Sequence, residues 1–190
     1  MRGFRYIKNI YCLEGNWNTN PNSNQSIKPI LELLKTTCGI RYIHIKCDNK
    51  AELLRYLRQF TFKRYKNYQI LYIAFHGKSN RICTGKDYTS LTEFGEVLEN
   101  SLDGRIIHFG SCSTLKTSNK RIQDFLYITN ADSISGYSKT IDFIDSTALD
   151  LLYFKLLQNY KYCTKAQSEL LKYNPELNNN LGASYHSNFI

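Results

Sequence analysis

Two short, mostly apolar runs constrain the fold of this chain more than any other feature of its sequence. Residues 69–75 read QILYIAF, and residues 105–109 read RIIHF. A strand that is apolar along its length is typical of a parallel sheet covered by helices, because neither of its faces meets water. The two runs therefore predict two strands in the interior of one such sheet.

The rest of the chain alternates further strand patterns with helical ones. Short apolar segments predict strands at residues 6–13, 40–46 and 133–137. Apolar residues at helical spacing predict helices at residues 27–37, 51–60, 91–100, 121–127, 142–158 and 164–173. The polar residues 77–88 predict a loop or a small hairpin. We expect a three-layer α/β/α sandwich with a mostly parallel central sheet over residues 1–175, and an extended, Asn-rich C-terminal tail at residues 176–190.

Composition narrows the class of protein. The chain has 190 residues, of which 42% are hydrophobic and 22% charged, and this predicts one globular domain that folds without a disulfide or metal. No apolar run approaches the roughly 20 residues of a transmembrane helix, so we expect no membrane insertion. The N-terminus lacks the pattern of a signal peptide, which predicts a cytoplasmic protein with reduced cysteines. Its cysteines and histidines show no zinc-like spacing, so we expect neither a metal nor another cofactor.

The net charge of +9 raises the question of a nucleic-acid partner. The densest basic patch, KRYK at residues 63–66, lies between two apolar segments rather than in a basic tail. The chain contains no Gly-x-Gly-x-x-Gly motif and no P-loop. We therefore expect no nucleic-acid partner, and an α/β module that binds nucleotides or nucleic acid remains only an alternative.

The residues after the two apolar runs carry the candidate chemistry. His76 and Gly77 follow the first run, and Cys112 follows the second after Gly110 and Ser111. Because the carboxyl ends of neighbouring parallel strands share one edge of a sheet, His76 and Cys112 are expected to meet there. An imidazole beside a thiol helps to form the nucleophilic thiolate. A glycine at position 77 lets a substrate carbonyl approach backbone N–H groups that stabilise an oxyanion.

The segments that carry these residues, ILYIAFHGKS and IIHFGSCSTL, resemble those of the caspase-like cysteine peptidases. This group includes caspases, metacaspases, separase and bacterial CHAT domains, and the chain is most similar to small bacterial CHAT-type members. Residues 136–150 (GYSKTIDFIDSTALD) resemble the corresponding CHAT segment. The resemblance implies a hydrolase of the thiol protease type with a His76–Cys112 dyad. It also implies an oxyanion hole formed by the N–H groups of Gly77 and Cys112.

The primary specificity pocket is expected to contain acidic residues. In the caspase-like fold this pocket is lined by the residue that closes the first strand, here Glu14, and by the loop that carries Asp142 and Asp145. Carboxylates favour Lys or Arg side chains through charge-assisted hydrogen bonds, which predicts cleavage after a basic residue. The alternatives are a solvated loop charge for Glu14 and a helix cap for Asp142. Ser111 stands where metacaspases have Asp, and the caspase motif Gln-Ala-Cys-Arg-Gly is absent, so caspase-type Asp specificity is not predicted.

The resemblance also implies a biological setting. It predicts a protein substrate and a role in bacterial antiviral defence or programmed death. The implied partners are an upstream activating protease or a sensor protein. The alternative is a catalytically silent caspase-like scaffold that binds a protein partner.

Overall fold

The computed structural model describes residues 4–18 and 24–188. Within these ranges the strands are β1 (Asn9–Glu14), β2 (Tyr42–Lys46), β3 (Tyr68–Ala74), β4 (Gly77–Lys78), β5 (Arg81–Thr84), β6 (Asp87–Ser90), β7 (Ile106–Phe109), β8 (Ser133–Tyr137) and β9 (Ala183–Ser187). The helices are α1 (Lys28–Cys38), α2 (Lys50–Phe60), α3 (Leu91–Val97), α4 (Asn119–Thr129), α5 (Phe143–Leu157), α6 (Cys163–Tyr173) and α7 (Pro175–Leu181).

Six of the strands form one central sheet in the order β2-β1-β3-β7-β8-β9. Its first five strands are parallel, and β9 pairs with β8 in the antiparallel sense. One face packs against α2, α3 and α4 through residues such as Leu53, Phe94 and Leu126. The other face packs against α1, α5 and α6. The structure therefore confirms the predicted α/β/α sandwich with a mostly parallel sheet.

The two apolar runs are neighbouring strands, as their composition predicts. β3 pairs with β7 in parallel, with Ile73 opposite Phe109 near their carboxyl ends. Successive residues of β3 serve the two cores in alternation, since Tyr72 packs toward α5 while Leu71 packs toward the α2 face. This two-sided burial explains why the run has no polar face. It also aligns the ends of β3 and β7 at one edge of the sheet.

The segment predicted as a loop or small hairpin forms a second sheet of three antiparallel strands, β4-β5-β6. Its last turn contains Gly85, whose positive φ of 69° suits glycine. A Cβ atom at this position would lie 3.1 Å from the Asp48 carbonyl oxygen. The hairpin tip therefore rests against the loop that follows β2.

The C-terminal residues differ from the expected extended tail outside the domain. Residues 175–181 form α7, and residues 183–187 form β9, the sixth strand of the central sheet. Ile134 of β8 pairs with His186 of β9, and buried Leu181 packs in the same core as α5. The described part of this segment thus belongs to the domain. Among the described residues, no helix combines the length and apolar character needed to cross a bilayer.

Candidate active site

His76 and Cys112 lie at the same cavity, although 35 residues separate them in the chain. This cavity has a volume of about 90 Å³ and is lined by both side chains. The two loops touch through their backbones, because a Cβ atom at Gly77 would lie only 2.3 Å from the Cys112 carbonyl oxygen. Glycine at position 77 is therefore required for this close approach.

Cys112 lies in a tight turn directly after β7. Ser113 adopts a left-handed conformation with φ 54°, and its N–H donates to the Lys139 carbonyl at 2.8 Å. The Ser111 and Thr114 hydroxyl groups are hydrogen-bonded at 2.7 Å within the same turn. The half-buried Cys112 sulfur accepts a hydrogen bond from the Ile141 N–H at 3.5 Å. These contacts hold the sulfur at the wall of the cavity.

The His76 ring is oriented by Trp17. Its Nε2 atom lies 2.8 Å from the Trp17 carbonyl oxygen, and the two rings meet edge to face with centroids 5.4 Å apart. Because a carbonyl oxygen only accepts hydrogen bonds, Nε2 carries a proton in this contact. In the neutral ring Nδ1 is then the basic nitrogen, available to take a proton from a thiol.

Two backbone N–H groups are available beside Cys112. The Cys83 N–H donates to the His76 carbonyl at 2.8 Å, so these residues form a hydrogen-bonded position of the β4–β5 ladder. Antiparallel ladders alternate, and the next residue, Gly77, therefore directs its N–H away from β5. Among the described residues, the Cys112 N–H has no hydrogen-bond acceptor. The two N–H groups predicted to form the oxyanion hole, those of Gly77 and Cys112, therefore lack a hydrogen-bond partner among the described residues.

Glu14 closes β1 as expected, but its carboxylate is fully buried and saturated with donors. It accepts hydrogen bonds from the side chains of Trp17 (2.5 Å), Ser26 (2.7 Å) and His44 (2.6 Å), and from the Ile27 N–H (2.8 Å). Burial raises the pKa of Glu14, but these hydrogen bonds, led by that of His44, outweigh burial and lower it overall. Neither cavity beside His76 is lined by Glu14. The structure thus gives Glu14 the role of holding Trp17 rather than that of contacting substrate.

Asp142 and Asp145 also lie outside the cavity beside Cys112. Asp142 is the N-cap of α5, and its Oδ1 atom accepts hydrogen bonds from the N–H groups of Ile144 (2.8 Å) and Asp145 (3.1 Å). Both aspartates are exposed in the first turn of this helix, where carboxylates favour the helix dipole. The capping alternative for Asp142 is therefore confirmed, and the predicted acidic pocket does not form from these residues.

The acid that lines the cavity is Asp150, which sequence reasoning missed. It is 2% exposed and accepts hydrogen bonds from the Tyr72 hydroxyl at 2.6 Å and the Tyr137 hydroxyl at 2.5 Å. His108 is also buried, and its Nε2 atom lies 2.7 Å from Asp150 Oδ1. The sequence feature that could have indicated Asp150 is its position between two leucines in an otherwise apolar stretch of helix.

Asp150 retains the capacity to bind one more donor. Burial, followed by the charge of Asp150, raises the pKa of Tyr72 and Tyr137 well above the usual range, so both hydroxyls stay protonated and donate. A carboxylate accepts about four hydrogen bonds, and three partners surround this one. A Cβ atom at Gly110 would lie 3.1 Å from Asp150 Oδ2. The glycine before the Cys112 turn therefore allows the backbone to pack closely against this oxygen.

No group of three or more His, Cys, Asp or Glu side chains within residues 4–18 and 24–188 is arranged to hold a metal ion. The site consists of a thiol, an imidazole, two N–H groups and a buried carboxylate at the carboxyl edge of a parallel sheet.

The fold and site define an α/β/α protein with a Cys–His cleft at the edge of its sheet. The chain belongs to the Family of unknown function (DUF6642), whose profile matches residues 7–185. This match extends through most of β9, in agreement with the inclusion of that strand in the domain. No curated protein sequence is significantly similar to the chain.

Proposed function

We propose that this protein is a cysteine endopeptidase of the caspase-like group, acting on protein substrates. The observation that carries the proposal is the convergence of His76 and Cys112 at one cavity. The two residues reach it from the carboxyl ends of neighbouring parallel strands, where ligands of open α/β sheets bind. Its resemblance to CHAT-type members favours a role in bacterial antiviral defence or programmed death, under an upstream protease or sensor protein.

In the proposed reaction, His76 Nδ1 takes the thiol proton and the Cys112 sulfur attacks the carbonyl carbon of the cleaved peptide bond. The N–H groups of Gly77 and Cys112 stabilise the negative charge that develops on the carbonyl oxygen. The protonated His76 then gives its proton to the leaving amine, and the C–N bond breaks to yield a thioester. Water, deprotonated by His76, attacks this thioester and releases the acid product with the free thiol. Trp17 keeps the imidazole oriented throughout.

We still propose a preference for a basic residue before the cleaved bond. Its recognition is assigned to Asp150 instead of to the three acids predicted from the sequence. Its carboxylate lines the cavity that Cys112 also lines, and its hydrogen-bond partners include two neutral hydroxyl groups. A Lys or Arg side chain would bring a positive charge and the missing donor to Asp150 Oδ2. A charge-assisted hydrogen bond of this kind is stronger than a neutral one, and more so away from water.

The wild-type protein is expected to cleave after Lys or Arg, and Asp150→Asn should reduce this preference. Hydrogen bonds to charged groups contribute about 1.5–3 kcal/mol, so kcat/KM for basic substrates should fall about 10- to 100-fold relative to neutral ones. Fluorogenic peptides that differ only in the residue before the cleaved bond provide the measurement. Asp145→Asn is the matched control, because Asp145 is exposed and outside the cavity. A wild-type preference for acidic or apolar residues would contradict the role of Asp150.

Alkylation by iodoacetamide tests the dyad independently of any substrate. We expect Cys112 to react at least about tenfold faster than Cys38, because the His76 imidazole at the same cavity can take the thiol proton as the sulfur attacks. Both thiols are half-buried, so Cys38 is an internal control of similar accessibility. Burial raises the pKa of Cys12 and Cys83, and that of Cys47 to about 12, which slows their reaction. Mass spectrometry of the modified peptides gives each rate.

The variant His76→Ala should reduce alkylation of Cys112 to the rate of Cys38. Equal rates of Cys112 and Cys38 in the wild-type protein, together with no peptide cleavage, would contradict the proposed function. That outcome would instead favour the catalytically silent scaffold that binds a protein partner.

A further inference from the structure

A second, larger groove lies beside His76. It has a volume of about 660 Å³ and shares His76 and Trp17 with the cavity of Cys112. Cys112 and Asp150 do not line this groove. His76 and Trp17 therefore lie between two spaces. One is lined by Cys112 and the buried Asp150, and the other by neither of these residues.

The chemistry of the proposed function assigns each space to one half of the substrate, and this step rests on that function. The acyl half of the substrate is bonded to the Cys112 sulfur, so its side chain belongs in the cavity with Cys112. The leaving amine receives its proton from His76 and must lie against the imidazole. The residues that follow the cleaved bond therefore extend past His76 into the larger groove.

The charged side chains described in the lining of this groove are all positive. Lys46 closes β2, and Lys86 lies in the turn between β5 and β6; both are exposed and line the groove. None of the described residues that line it is Asp or Glu. Within the described part of the chain, neither lysine ammonium group has an ion-pair or hydrogen-bond partner.

The two lysines border the same groove because the hairpin tip rests on the loop after β2, where a Cβ atom at Gly85 would approach the Asp48 backbone. The nearby Asp48 carboxylate accepts a hydrogen bond from Asn16 at 2.9 Å, which holds it in that loop. Asp48 is not among the residues that line the groove. The positive charges of Lys46 and Lys86 therefore remain available to interact with a bound substrate peptide.

We infer that this groove binds acidic residues located directly after the cleaved bond of the protein substrate. Lys46 and Lys86 form ion pairs with Asp or Glu side chains of the leaving segment, while Trp17 contacts its apolar parts. Each exposed ion pair strengthens a binding equilibrium constant by up to about fivefold. Two lysines therefore predict a clear but salt-sensitive preference.

Digestion of a proteome-derived peptide library tests this inference, with cleaved bonds identified by mass spectrometry. With the wild-type protein, Asp and Glu should be enriched about three- to tenfold in the first four positions after the bond. The enrichment should weaken when the ionic strength rises from about 0.1 M to about 1 M, since the Debye length falls from about 10 Å to about 3 Å. The double variant Lys46→Glu, Lys86→Glu should lose the acidic preference and favour Lys and Arg at those positions.

The control is Lys63→Glu, Lys66→Glu, which makes the same change of charge. Both lysines are exposed and precede β3, at the opposite end of the sheet from the groove. This variant should keep the acidic preference. Cysteine-dependent cleavage with no enrichment, or equal loss of enrichment in both double variants, overturns the groove assignment and leaves the proposed function intact. Absence of any cleavage that depends on Cys112 overturns the proposed function and the inference with it.

Discussion

Replacement of Cys112 by alanine is expected to lower kcat/KM for peptide cleavage by about four orders of magnitude or more, because no other atom at the site can form the thioester. His76→Ala should lower it by about 10²- to 10⁴-fold, the usual contribution of a general acid–base. Steady-state kinetics on a peptide selected from the library provides the measurement. Cleavage by the Cys112→Ala protein at more than about one hundredth of the wild-type rate would refute the assignment of the nucleophile.

These losses are expected without loss of the fold. Cys112 is half-buried and His76 is exposed, so each substitution should change the free energy of unfolding by less than about 1 kcal/mol. Urea denaturation followed by circular dichroism checks this point. Cys38→Ala is the matched control, because it removes an equally half-buried thiol at the end of α1 and should retain full activity.

Replacement of Glu14 by alanine is expected to have the largest effect on stability. The substitution leaves the Ile27 N–H, the Trp17 indole and the His44 ring without their buried acceptor. Orphaned buried donors and a lost charged acceptor together cost about 3–5 kcal/mol. Urea denaturation should show this loss. Glu32→Ala, which removes an exposed carboxylate of α1, should cost less than about 1 kcal/mol.

The same residue predicts how stability depends on pH. The folded pKa of Glu14 lies below its unfolded value, which for glutamate is about 4.3. Its contribution is therefore present above pH of about 4.3 and is lost as the pH falls through the folded pKa. The difference in unfolding free energy between the wild-type protein and Glu14→Ala should shrink in that acidic range. A difference that stays constant from neutral pH to well below the unfolded pKa would contradict this account.

Glu14→Gln separates positioning from stability. Oε1 of Glu14 accepts from the N–H groups of Trp17 and Ile27, so the Gln oxygen should take that position, while its N–H₂ group donates to the Ser26 hydroxyl and to the His44 ring in its other tautomer. Because Trp17 then stays in place and orients His76, Glu14→Gln should largely keep kcat, whereas Glu14→Ala should lower kcat more than it changes KM. A purely structural role would lower stability and leave kcat of the remaining folded protein unchanged.

The central strands and the meeting of His76 and Cys112 were predictable from local sequence. Apolar runs without a polar face indicate strands buried on both sides, and parallel neighbours necessarily share their carboxyl edge. β9 was not predictable in this way, because its residues (ASYHS) are half-buried and mostly polar. It joins the sheet only because β8 offers an unpaired edge that an antiparallel strand can cover.

The assignment of the acidic residues required the tertiary structure. Glu14, Asp142 and Asp145 occupy the expected chain positions, but burial and capping engage their carboxylates elsewhere. The position of Asp150 at the cavity could not be predicted, because α5 is apolar around most of its circumference. The periodicity of its residues therefore does not show which side of the helix faces the sheet.

Local patterns of hydrophobicity were sufficient to predict the layered architecture, and the direction of parallel strands was sufficient to predict that His76 and Cys112 lie at one edge of the sheet. Which carboxylate lines the cavity of Cys112, and where the lysines border the groove, followed only from the folded structure. Those properties depend on contacts between segments far apart in the chain, and the free energy of a buried charge depends on every group around it.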